Sequence, residues 1–105
     1  MAQNIIIAVT MPSKKVANLI CEQLLDKRLI VCCQNLGKIK STYFWQNKKI
    51  KSAEILILLI AVKKNFDKIA KEIKKLHPYK TPQITAFDIA KTTKDYAAWI
   101  KRNGK

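Results

Sequence analysis

The run from Glu54 to Val62, EILILLIAV, constrains this chain more than any other stretch. It is too short to cross a bilayer and rich in β-branched side chains, so it reads as a central strand. It does not alternate apolar with polar residues, and neither does the shorter run Ile5 to Val9, IIIAV. An antiparallel sheet with one wet face alternates; these strands want both faces covered. With 105 residues and 49% hydrophobic content, the chain has the means to build one core, and a single domain over 1–105 is expected.

The remaining segments place helices around these strands. Pro12 and Ser13 end the first strand, and Ser13 is set to cap a helix from Lys14 to Lys27. Its apolar positions Val16, Leu19, Ile20 and Leu24 recur at three- and four-residue spacing. Leu29 to Cys33 opens a second strand, which is interrupted at Gly37-Lys38 and resumes through Ile39, Ser41, Tyr43 and Trp45. Gln46 to Lys49 is the hairpin turn into the Glu54–Val62 strand. A helix follows from about Asn65 to His77, with the stripe Phe66, Ile69, Ala70, Ile73 and Leu76. Pro78 ends it, because a residue before proline is pushed out of the α region. Ile84 to Ile89 forms the fourth strand, and Thr92 to Asp95 matches a capping box for a short last helix that Gly104 ends.

The order β-α-β-β-α-β-α predicts an α+β, ferredoxin-like split βαβ sandwich with an extra C-terminal helix. In that fold the main helices cover one sheet face. The apolar second face of the first and third strands therefore calls for packing of sheet on sheet between copies of the chain.

Composition excludes several functions. The net charge of +14 invites nucleic acid, but the lysines are spread over every segment and only two arginines, Arg28 and Arg102, occur. An RNA-recognition module needs aromatics on its first and third strands, and here those strands are aliphatic. Specific nucleic-acid binding is not expected, and the charge reads as a solvated surface. Two glycines and one histidine cannot supply a phosphate loop or a Ser-His-Asp triad, so no enzyme activity is expected. Three cysteines in no disulfide-like spacing suggest reduced thiols, with Cys21 a small buried hydrophobe. The first residues carry no basic segment before their short apolar run, so a cytosolic protein with no membrane span is expected.

Several marks recur in an order that resembles the CutA family of divalent-cation tolerance proteins. They are Thr10 with Pro12, Arg28-Leu29 followed by Cys32, then Ser41, Tyr43 and Trp45, then Glu54. His77-Pro78-Tyr79 with Thr81-Pro82, and Tyr96 with Trp99, complete the set across nearly the whole length. The resemblance implies a ferredoxin-like homotrimer with clefts between subunits and a link to copper tolerance and copper binding. Val9 and Leu76 stand where copper-binding relatives can carry a cysteine and a second histidine, and Ile60 and Gln83 where a lysine and a glutamate are usual.

Two readings of His77 stay open: a helix-end residue bonding a last-turn carbonyl, or the metal ligand for a copper ion. The cleft candidates are Cys32, Tyr43, Trp45, Glu54 and Tyr79. Cys32 and Cys33 are neighbours on a strand, point to opposite faces, and do not chelate one ion together. By analogy with trimers of the PII type, the alternative is a small-molecule cleft between subunits, shaped by the His77 to Gln83 loop with Tyr43 and Trp45.

Overall fold

The computed structural model describes residues 3–105. Strand β1 (Asn4–Met11) leads to helix α1 (Lys14–Asp26), then to the long strands β2 (Cys32–Trp45) and β3 (Lys48–Val62). Helix α2 (Phe66–Leu76), strand β4 (Ile84–Asp88) and helix α3 (Lys94–Asn103) follow, with a single 3-10 turn at Lys63–Asn65 before α2. The four strands form one antiparallel sheet in the order β2-β3-β1-β4, the ferredoxin-like arrangement expected from the element order. No helix among the described residues is long and apolar enough to cross a membrane.

Local chemistry sets the element ends. Ser13 and Thr93 cap α1 and α3 by accepting backbone N–H bonds from Val16 and Tyr96. His77 stands at the C-cap of α2 with extended dihedrals, as Pro78 requires. Gln46 and Asn47, both with positive φ, make a tight two-residue hairpin turn whose twist matches the flanking strands. The interruption at Gly37 is a bulge inside β2. Gly37 takes φ +91, and its N–H donates to the Asn35 side chain at 2.7 Å while the register shifts between Asn35 and Lys38.

Alternation divides the sheet into two unlike faces. Ile5, Ile7, Val9 and Met11 of β1 and Ile55, Ile57, Leu59 and Ala61 of β3 point to α1 and α2, where Ala17, Ile20, Leu24, Ile69 and Ile73 complete the core. Helix α1 is turned from the expected stripe: Leu19 is 47% exposed, and Ala17 and Cys21 are buried instead. Small side chains there let the helix sit close to the sheet. Cys21 and Cys33 are joined as a disulfide that ties α1 to β2, which corrects the expectation of three reduced thiols. Their Cα atoms come within 6.1 Å because Cys33 faces the helices while its neighbour Cys32 faces away. Cys32 remains free.

The opposite face is apolar as well. Strand pairing lines up Cys32, Ile60, Ile6 and Phe87 in one row across the sheet, and Gln34, Leu58, Ala8 and Thr85 in the next. Helix α3 covers one end of it, where Tyr96 neighbours Cys32 and Ile100 is fully buried. Asn65 holds this end shut by donating to the carbonyls of Leu29 and Lys105. Beyond α3 the cover stops: Ile6, Leu56 and Leu58 are half-buried and Phe87 is 58% exposed.

Candidate functional site

The far end of that second face carries a cleft of about 630 Å³. The β2–β3 register puts Ser41 opposite Ser52 and Tyr43 opposite Ile50, on the face that also carries Glu54 and Thr10. One wall is the root of the hairpin, with Ser41, Tyr43, Trp45 and Glu54. The other is the loop between α2 and β4, with Tyr79, Lys80, Thr81 and Gln83.

His77 fixes the loop. It is only 6% exposed, and its Nε2 lies 2.8 Å from the carbonyl oxygen of Thr10 on β1. Its Nδ1 accepts the backbone N–H of Tyr79 at 3.1 Å. An acceptor role at Nδ1 leaves the proton on Nε2, which donates to Thr10. Both nitrogens are engaged within the chain, so the ring presents no free lone pair to a metal ion. The carbonyl it bonds is in β1, not in the last turn of α2. His77 thus clips the loop to β1 and sets where Tyr79 enters the cleft, its own ring 4.8 Å from the tyrosine ring.

The electrostatic centre is Glu54, 5% exposed at the start of the buried half of β3. The Tyr79 phenol shares the cleft with this carboxylate and feels its charge. Burial first, and then the Glu54 carboxylate and Tyr43, hold the Tyr79 phenol above its ordinary pKa. Ion pairs among the described residues join Lys27 and Lys75 to Glu72, and Lys63 to Asp88; Glu54 is in none of them. On the hairpin wall Ser52 donates to the Tyr43 oxygen at 3.3 Å.

Four of the five cleft candidates, Tyr43, Trp45, Glu54 and Tyr79, therefore converge. Cys32 does not. It lies at the opposite end of β2, eleven residues from Tyr43 and so roughly 35 Å along the strand at about 3.3 Å per residue. There it pairs with Ile60 across the sheet, half-buried, and its charge reaches the Tyr96 phenol of α3. Sequence reasoning had not assigned Thr10 or Ser41 to the cleft, whereas Lys80, Thr81 and Gln83 belong to the His77 to Gln83 loop expected to shape it. Thr10, Ser41 and Thr81 stood in view as marks of the resemblance, and the strand register is the signal that unites the first two with Glu54. No three His, Cys, Asp or Glu side chains among the described residues gather in a metal-binding group.

Fold and cleft together define a class: a ferredoxin-like domain with an aromatic and carboxylate cleft at the root of a long hairpin. The family model for the CutA1 divalent ion tolerance protein matches residues 5–103, and the chain belongs to that family. It is 33% identical over 98 residues to the divalent-cation tolerance protein CutA of Thermus thermophilus, covering 93% of this chain and 95% of the relative. The solved structure of the Thermus thermophilus protein superposes with a TM-score of 0.94 at 31% identity, covering 97% of this chain and 99% of that one. CutA1 from Oryza sativa, at 24% identity, shares the fold with a TM-score of 0.95 over 99% of this chain and 95% of its own.

Proposed function

We propose that this protein works by binding rather than by catalysis, as a homotrimer whose cleft at the hairpin root takes a small molecule. The observation that carries the reading is the convergence of Tyr43, Trp45, Glu54 and Tyr79 on one cleft of about 630 Å³. Pockets of a few hundred Å³ with aromatic walls and a few placed polar groups are where small ligands bind. The assembly is supported by Ile6, Leu56 and Leu58, half-buried on one sheet face, and by the exposed Phe44 and Phe87. Aromatic and aliphatic groups in such numbers are enriched in the centres of interfaces between copies.

The relatives are named for tolerance of divalent cations, and copper is the second reading. Its support is that family name; the chain offers it no prepared ligand set. His77 would have to break its bond to Thr10 or to Tyr79, and Cys32 is a lone, half-buried thiol.

A thermal-shift screen of nucleotides, metabolites and Cu(II) separates the readings. The cleft reading expects a shift with a metabolite that Tyr79→Ala abolishes, and no selective response to Cu(II). A saturable Cu(II) response that His77→Ala removes, with no metabolite response, would instead favour copper.

A further inference from the structure

Glu54 sets a carboxylate on the cleft with no basic partner among the described residues. A buried carboxylate is costly unless something of opposite charge or several hydrogen bonds compensate it. Glu54 has Tyr79 near it and takes part in no ion pair among the described residues. It is 5% exposed, yet it forms part of the lining of the cleft. Tyr43, Trp45 and Tyr79 line the same space.

We infer that the cleft binds a small organic ammonium compound, its cationic nitrogen held at Glu54 among Tyr43, Trp45 and Tyr79, and its other end anionic. Aromatic faces attract a cation through their ring quadrupoles, most strongly when water is excluded, and a carboxylate behind them fixes its position. Lys80 and Thr81 on the loop wall supply the second contact. Lys80 is exposed and in no ion pair among the described residues, so its ammonium and the Thr81 hydroxyl can meet a carboxylate entering with the ligand. A bare divalent ion fits this lining poorly. It would find a single carboxylate where hard cations take six or more oxygen ligands, and the remaining walls are aromatic rings and hydroxyls. The inference rests on the cleft reading above and names its ligand class.

Isothermal titration calorimetry on the intact assembled protein tests it with four probes: 4-aminobutyrate, n-butylammonium, butyrate and butanol. The expected order is 4-aminobutyrate tightest, n-butylammonium next, and butyrate and butanol without measurable heat. Glu54→Gln should weaken 4-aminobutyrate about tenfold, the scale of one charge-assisted contact. Trp45→Leu should weaken it about fivefold with Glu54 intact, which keeps the test open if the Glu54 variant does not assemble. Butyrate or butanol binding as tightly as the amines would overturn the inference while leaving a ligand cleft in place. Heat from none of the four overturns it too, as it would if a basic side chain of a neighbouring copy fills the site. A monomer by mass would overturn the reading beneath it.

Discussion

The two halves of strand β3 differ more than any other pair of adjoining segments in the molecule. From Glu54 to Ala61 the strand is buried or half-buried on both faces and sits at the centre of the sheet. From Lys48 to Ala53 the same strand pairs only with the outer end of β2, and its side chains are mostly in solvent. Partner residues there include Phe44, 76% exposed at the tip. The projecting half stretches the chain to 45 × 26 × 23 Å, and its radius of gyration of 14.3 Å exceeds the roughly 13 Å typical of a compact domain this long. A two-stranded ribbon is marginal by itself in water. The inner half is packed by its own chain on the helix side and only half-covered on the other, while the outer half stands mostly in solvent.

The contrast breaks most sharply at adjacent residues of the inner half. Ile57 faces α1 and α2 with 1% exposure, whereas Leu58 faces the half-covered side. Ile57→Lys should abolish folding, since burying an unpaired charge costs several kcal/mol against a total stability of about 5–15 kcal/mol. Leu58→Lys should keep the far-ultraviolet circular dichroism of the folded chain and lose assembly. Equal behaviour of the two variants would mean that the faces are not distinct.

The Cys21–Cys33 link reinforces the inner half alone. Closing a loop of this size contributes about 3 kcal/mol through the unfolded state. Cys21→Ser should lower stability by that order in denaturant titration, with ligand affinity at the distant cleft unchanged. One reactive thiol should be counted after denaturation without reductant and three with it.

At the boundary between the halves, His77→Ala removes two hydrogen bonds and should cost about 2–3 kcal/mol. It should also weaken ligand binding by loosening Tyr79. Replacement by Gln, which can reach with both a donor and an acceptor, should recover part of each effect.

The smallest effect concerns the Tyr79 phenol. Its raised pKa means that its contribution to stability is fully present below the ordinary tyrosine value and is lost as pH climbs through the folded one. In Glu54→Gln the pKa should fall toward that ordinary value without reaching it, because burial is the larger cause. Ultraviolet titration of the phenolate measures the difference; an unchanged midpoint would sever Glu54 from Tyr79.

Much of this was legible in the sequence. Periodicity and punctuation located every strand and the main helices, and the absence of alternation in Ile5–Val9 and Glu54–Val62 foretold a second apolar face. The helix stop at Pro78 is local and could be read directly; the turn read over Gln46 to Lys49 narrows to Gln46-Asn47, and the cap read in the Thr92 to Asp95 box falls on Thr93. What stayed hidden depends on relations across the fold. Leu19 and Ala17 satisfy similar helical spacing, and only packing against the sheet decides which is buried. Cys21 and Cys33 belong to different elements, so their pairing follows from how α1 lies on β2. The role of His77 was missed for the same reason: its partner Thr10 is remote in sequence and joins it only when the α2–β4 loop crosses β1.

Mass in solution tests the central claim most directly, because the proposed assembly puts a second copy against the half-covered sheet face and the projecting hairpin. Light scattering or native mass spectrometry at micromolar concentration should give three times the 12.0 kDa chain mass, and Leu58→Lys should reduce it to one. A stable monomer with the hairpin intact would contradict the account.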